Sequence, residues 1–401
     1  MSTRERRERS NESDRFLSQL FNTAEKADGR KNLGKEIALA AVGGYGRGEL
    51  SPGSDLDILF LHTGKVSADD LKAFVNDVLY PLWDKKSVDH SVRTRSETRD
   101  AASSDLRVAT GLLDIRLIAG NPDLVAAVQL DALDFWRKNA KENLANLHKS
   151  LQERHVRAGE LAYLLEPDLK EARGGLRDIQ ALRAISLSAA IAVPLEKISW
   201  AEGTLNNVRE SLHIASGRGK DRLLFQEQDK VAKLLNYPDA DAMMSDVARA
   251  ARTVDYLLNY TWHALEHKGK DGLGRILKRP RITTVAKNVS ASNREIIIDP
   301  FTSLNDDPVC GLRAAATAAQ LGLPLSLDTC TELSENLKSG QGRLPNPWPR
   351  EARELLISLI GAGEAMVGIF ESLDQEEIIF KWIPEWMSVR SLPQRNALHR
   401  H

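Results

Sequence analysis

The sequence predicts an α+β protein: a small sheet near the start of the chain, then a long and mainly helical region carrying a short β-hairpin near residues 281–299. Three observations carry this prediction. Two short apolar runs, 37–42 and 55–61, flank a glycine-rich turn and read as buried strands. From about residue 124 to 260 the apolar positions recur almost entirely at helical spacing. Between 277 and 300 the pattern changes to two β-branched stretches, 282–286 and 295–299, with Asn- and Ser-rich turn material between them.

The elements follow in order. Residues 13–26 place Phe16, Leu17, Leu20 and Phe21 on one face of a helix. After the two strands, Ser67 is a helix cap with Asp70 at the third helical position, and the helix runs through Phe74, Val78 and Leu82. Pro81 predicts a kink or a late break in it. Residues 87–94 lack a helical period and read as a third strand. Residues 100–119 read as one further helix, stopped by Gly120-Asn121-Pro122. Past the hairpin, 309–321 and 349–372 are helical, while 382–401 is broken by Pro and rich in Arg and His.

Composition sets limits on function. At 401 residues, with 42% hydrophobic and 28% charged residues, the chain has ordinary globular composition and length enough for two or three domains. A net charge of −1 gives no overall field for nucleic acid or a membrane. Cys310 and Cys330 are too few for a disulfide framework or a zinc site and read as buried apolar fillers in a reducing compartment. The Arg- and Glu-rich start lacks the apolar stretch of a secretory signal and reads as a solvated face. The longest apolar run, 355–370, is too short and too interrupted to span a bilayer. The expectation is a soluble cytoplasmic protein.

The chemistry concentrates in Gly43-Gly44-Tyr45-Gly46-Arg47-Gly48-Glu49-Leu50-Ser51-Pro52-Gly53-Ser54-Asp55-Leu56-Asp57. On a strand, Asp55 and Asp57 share one face, with Cα atoms roughly 6.6 Å apart at about 3.3 Å rise per residue. Two carboxylates on a strand otherwise built for burial are costly unless paired or metal-bound. Nucleotidyl transfer uses such a pair: two metal ions clamp the attacking and leaving oxygens. Mg²⁺, or Mn²⁺ in its place, takes one or two carboxylates plus phosphate oxygens. Gly43 and Gly44 let backbone N–H groups approach a triphosphate, Ser54 adds a hydroxyl and Arg47 a cation. The spacing fits neither a P-loop nor a dinucleotide fingerprint. The plain alternative is a tight turn whose aspartates cap helices or pair with arginines. For a third carboxylate, Asp89 on the third strand is the first candidate; Asp105 is the fallback and reads better as a first-turn residue of a helix.

These residues resemble the active-site signature of the PII protein uridylyltransferases, in the polymerase-β-type nucleotidyltransferase superfamily. Three later stretches agree: 89–94, Glu166-Pro167-Asp168-Leu169-Lys170-Glu171-Ala172-Arg173-Gly174-Gly175-Leu176-Arg177-Asp178-Ile179-Gln180, and 392–401. The resemblance implies a small mixed-sheet nucleotidyltransferase domain over 1–122, a helical domain over 123–381 with the hairpin, and a connection over 382–401 toward an HD domain. It implies transfer of UMP or AMP from UTP or ATP to a tyrosine of the PII signal protein. Asp55, Asp57 and Asp89 would hold two Mg²⁺ ions, and Gly43, Gly44, Arg47 and Ser54 the nucleotide. The chain contains no His-Asp dipeptide, so the resemblance implies the transferase half without the HD removing and ACT sensing parts. The Asp89-His90-Ser91 variant resembles the actinobacterial branch, which implies ATP as donor.

Two rivals stand beside this reading. One is a related nucleotidyltransferase acting on RNA or an antibiotic; near-neutral charge without aromatic and basic interleaving weighs against RNA. The other is a binding module without turnover, for which Asp55 and Asp57 have no use. Other features read as structural. His263, His267 and Asp271 recur at helical spacing as solvated residues. His213 has no acidic partner at that spacing. Trp382 and Trp386 read as packing. The stretch 170–178 reads both as a turn presenting cations and as a helix start.

Overall fold

A computed structural model describes residues 3–27, 33–83, 87–268 and 282–392. The chain forms two compact units, Met1–Asp255 and Tyr256–Leu392.

The first unit is organised on a four-stranded mixed sheet of order β3-β2-β1-β4: β1 Ile37–Ala41, β2 Leu56–His62, β3 Val88–Thr94 and β4 Arg116–Gly120. β1 pairs antiparallel with β2 and with β4, and β2 pairs parallel with β3. All five β1 residues are buried, as their unbroken apolar run requires of a central strand. One face carries Leu39, Ile58 and Phe60 against Leu17 and Phe21 of helix Thr3–Lys26 and Phe74, Val78 and Leu82 of helix Ala68–Trp83. Phe21 meets Phe74 edge-on at 5.0 Å. Helix Pro122–Lys138 packs against β1, β2 and β4. The expected 1–122 domain thus contains the whole sheet, and the helix beginning at Pro122 continues the same unit.

Most sequence expectations up to residue 94 match the fold, but the Arg- and Glu-rich start is not simply a solvated face: it belongs to helix Thr3–Lys26, with Arg6 buried and Arg6 and Arg9 both paired with Glu210. Ser67 accepts from the Asp70 N–H at 3.2 Å, and the helix ends at Trp83, two residues after Pro81. The single helix expected over 100–119 is corrected. Residues Arg95–Ser104 form a helix closed by a Thr94/Glu97 capping box, Leu106–Gly111 a second one capped by Asp105, and Arg116–Gly120 is β4. The free edge of β1 decides this, since ladder hydrogen bonds there outweigh a weak local helical pattern.

The helices of 122–255 lie where the periodicity puts them: Ala140–Ala158, Leu176–Leu187, Ser199–Ser216, Phe225–Leu234, and Ala240–Lys268, which crosses the unit boundary.

In the second unit, the hairpin is corrected to a three-stranded antiparallel sheet of β5 Thr283–Ala286, β6 Val289–Ser292 and β7 Glu295–Ile298. The small residues Val289-Ser290-Ala291-Ser292, read as turn, are the middle strand. Tight turns at Asn288 and at Asn293-Arg294 take positive φ, which Asn tolerates. The helix expected over 349–372 breaks at 361–363 into Arg350–Ile360 and Glu364–Gln375, bent by 118°. Together these two have the length and composition of a membrane span. Among the described residues no single helix does.

The core joins Leu312, Ala316, Leu333, Leu359, Leu373 and Trp382, with both free cysteines buried in it. Trp386 donates to Asp374 at 2.7 Å and meets Phe370 edge-on, so packing continues past the start of the expected connection at 382. Asp271 and residues 393–401 lie outside the described residues, as does the side chain of His267.

Candidate active site

The glycine-rich turn follows β1 directly. Val42 donates to the Asp57 carbonyl at 3.1 Å, and a four-residue helical turn, Gly43–Gly46, is closed by Arg47 N–H to Gly43 and Glu49 N–H to Gly44. The first N–H groups of such a turn have no intrahelical partner. Gly43 has φ +57, and a Cβ there would stand 3.6 Å from Asp57 Oδ2, so the turn lies directly over that carboxylate.

The turn is braced from two sides. Tyr45 is buried and donates to Asp14 at 2.7 Å, and Arg116 of β4 holds the same carboxylate and the Gly46 carbonyl. Burial, then the Asp14 hydrogen bond, push the Tyr45 phenol well above its usual range. Arg9 donates to the Leu50 carbonyl at 3.1 Å, tying helix Thr3–Lys26 to the outgoing side of the loop.

Three carboxylates face one cavity of about 940 Å³ in the first unit. Asp57 and Asp89 are register partners on parallel β2 and β3, and Asp55 stands two residues before Asp57. Asp57 is half-buried, while Asp55 and Asp89 are exposed. None of the three has a hydrogen bond or ion pair among the described residues. Burial, then the charge of Asp89, raise the Asp57 carboxyl above its ordinary range; Asp55 adds to this, and Lys170 and Arg177 oppose it.

Among the described residues no group of three His, Cys, Asp or Glu side chains is already set to hold a metal ion. Mg²⁺ does not require a closed protein cage, because it keeps waters and takes phosphate oxygens beside one or two carboxylates. Unpaired hard-oxygen donors that repel one another fit that requirement.

The remaining sequence candidates fall differently. Ser54 lines the cavity and accepts from the Ser51 N–H at 3.3 Å. Gly44 lines it as well. Arg47 also lines it, with its guanidinium held by Glu49 and Asp114. Asp105 caps its helix, accepting from the Arg107 N–H at 2.8 Å.

Lys170 and Arg177 line the same cavity as a cationic wall and act electrostatically on Asp57. Arg173 of the same stretch turns to Asp255 at 2.7 Å and does not line the cavity. His213 does have an acidic partner: its Nε2 lies 2.9 Å from Asp221 Oδ1. Sequence reading missed Asp221 because that partner comes from a loop after the helix, outside the i+3 and i+4 positions. The Gly217-Arg218-Gly219 signal marked only a helix end. In the fold Gly219 abuts Gly53, where a Cβ would sit 2.1 Å from the Gly53 carbonyl. That contact sets Asp221 beside the Ser54 turn.

Comparison with known proteins agrees with this layout. A family described as nucleotidyltransferase domain matches residues 25–109, and one described as GlnD PII-uridylyltransferase matches 142–199 and 193–262. The chain is similar to proteins named bifunctional uridylyltransferase/uridylyl-removing enzyme. That of Streptomyces coelicolor is 42% identical over 96% of this chain and 46% of that protein. Those of Mycobacterium tuberculosis and Corynebacterium glutamicum are 36% and 30% identical over 91% and 90% of this chain, and 46% and 51% of theirs. The chain spans about half the length of the curated relatives it matches. It carries a nucleotidyltransferase domain and resembles the N-terminal part of the bifunctional uridylyltransferase/uridylyl-removing enzymes.

Proposed function

We propose that this chain transfers a nucleoside monophosphate from UTP or ATP to a tyrosine of the PII signal protein, releasing pyrophosphate. The observation that carries the reading is the Asp57–Asp89 register pair, with Asp55, lining one nucleotide-sized cavity together with Lys170 and Arg177. The relatives' names supply the uridylyl group; the acceptor and the ATP alternative come from the family resemblance.

In this reading Asp55, Asp57 and Asp89 hold two Mg²⁺ ions. Bound there, the ions supply charge stabilisation at the α-phosphate and at the oxygens on either side of it. Gly43, Gly44 and Ser54 border the phosphates, while Arg47 keeps the turn in shape through Glu49 and Asp114. The tyrosyl oxygen forms its bond to the α-phosphorus as the bond to the β-phosphate oxygen breaks. Asp89, exposed like Asp55, takes the phenolic proton in this reading. Undiminished labelling of PII by Asp55→Asn and Asp57→Asn variants would refute the assignment. The mass added to PII decides between UTP and ATP. The protein is expected to act in the cytoplasm.

A further inference from the structure

We propose that Lys170 and Arg177 form the subsite for the β- and γ-phosphates, and so hold the pyrophosphate as it leaves. This rests on the transfer reading above and extends it to residues outside the nucleotidyltransferase signature.

Both side chains line the cavity that the carboxylates face, and both act electrostatically on Asp57. The backbone sets them side by side, with the Arg177 N–H donating to the Lys170 carbonyl at 3.1 Å.

Their segment is fixed from beneath. Asp168 accepts from the N–H groups of Lys170 and Glu171 at 2.9 and 2.7 Å. Leu169 donates to the Asp221 carbonyl and Leu223 to the Pro167 carbonyl, each at 2.9 Å, pairing the segment with the 221–223 loop. Asp178, fully buried, accepts from Gly174 N–H at 2.6 Å and holds Arg154 and His155. The two cations therefore stand on a rigid support rather than on a free loop.

Charge accounting points to an anion. The ion pairs of Lys170, Arg177 and Arg209 reach only two carboxylates, Asp221 and Glu171, while Lys170 and Arg177 also act on Asp57 without an ion pair to it. Asp221 is already taken by Arg209 at 2.6 Å and His213 at 2.9 Å, so Lys170 reaches it only at 3.9 Å. Arg177 has Glu171 at 3.2 Å and the neutral Gln180 at 3.0 Å. Burial and the neighbouring Arg177 lower the Lys170 ammonium below its ordinary range, as expected of cations crowded together without enough counter-charge.

The cavity has the volume of a nucleotide site and is lined both by three unpaired carboxylates and by these cations. A triphosphate with its metal ions satisfies both sets at once. The charge that develops on the leaving oxygen falls where a fixed Arg fork and a Lys ammonium stabilise it.

The test measures binding of inorganic tripolyphosphate by calorimetry, in Mg²⁺ buffer and in EDTA, with folding of each variant checked by circular dichroism. Lys170→Ala and Arg177→Ala are each expected to weaken binding by about 10-fold or more. Lys170→Arg should retain most of it. Asp55→Asn should bind at least as well as wild type in EDTA, because a repelling charge is gone. Unchanged binding by both folded alanine variants, or no binding by wild type in either buffer, overturns the proposal. Loss of binding in the variants upholds the subsite even if no transfer to PII is detected, so failure of the two readings is distinguishable.

Discussion

Asp57 and Asp89 are register partners on adjacent parallel strands, and burial together with the charge of Asp89 raises the Asp57 carboxyl. Neighbouring strands lie about 4.8 Å apart, so two ionised carboxylates there repel unless a cation intervenes. In the absence of metal, Asp57→Asn and Asp89→Asn should therefore raise the melting temperature. Saturating Mg²⁺ should raise that of wild type by about 2–4 °C and leave Asp57→Asn nearly unmoved. Equal Mg²⁺ shifts for both proteins, read by scanning fluorimetry, would remove the metal from this pair.

Asp178 anchors the turn that carries the cationic wall. Burial alone would raise its carboxyl; the His155 hydrogen bond, the Arg154 charge and the Gly174 N–H outweigh this and hold it below the ordinary range. Its folded pKa is thus depressed, so its contribution is present above the unfolded value of 3.8 and is lost as pH falls through the folded one. Asp178→Ala leaves Arg154 buried beside an empty site and should cost about 3–5 kcal/mol in urea unfolding at pH 7. The difference from wild type should shrink in acid. A constant difference down to pH 2 contradicts this account.

The contact of Gly53 with Gly219 leaves no room for a side chain on either. Gly219→Ala should destabilise the protein by about 1–3 kcal/mol through backbone displacement. Because Asp221 and Lys170 sit on the displaced loop pair, it should also raise KM for the nucleotide more than a substitution at half-buried Gly203, where a Cβ meets nothing within 4 Å. Steady-state kinetics of the two alanine variants provide the comparison.

The second unit carries its own pH response. Burial, then the Asp328 charge, push Glu295 up to about 7. The folded protein therefore holds a proton that the unfolded chain releases near 4.5, and stability falls as pH rises from about 4.5 to 7 and is flat above. Glu295→Gln should melt a few °C higher than wild type at pH 8 and about equally at pH 4. A larger gain at pH 4 than at pH 8 would reverse the sign and refute the assignment.

How far these features are legible in the sequence follows from the range of the forces involved. β1, the glycine turn and β2 are readable because apolar runs and turn residues are local signals. β4 is not, because Arg116–Gly120 becomes a strand only by pairing with the free edge of β1. β6 is hidden because Val289–Ser292 is small and polar and owes its pairing to β7. In the site, Asp57 falls on β2 as strand patterning suggests, whereas Asp55 stands one residue before the strand begins. The pairing of Asp57 with Asp89 needs the parallel neighbour. The pairing of Arg47 with Asp114 is hidden because nothing local announces it, and His213 looked isolated because Asp221 returns to it across a loop.

The central claim is that the carboxylates around Asp57 carry nucleotidyl transfer. The most direct measurement incubates purified PII and Mg²⁺ with UTP or ATP and either wild type or Asp57→Asn, then weighs PII by mass spectrometry. Wild type should add one nucleoside monophosphate per acceptor tyrosine, and Asp57→Asn should be slower by about 10³-fold, equivalent to several kcal/mol of lost charge stabilisation. A PII mass unchanged by wild type with either nucleotide, or equal labelling by both proteins, would contradict the account.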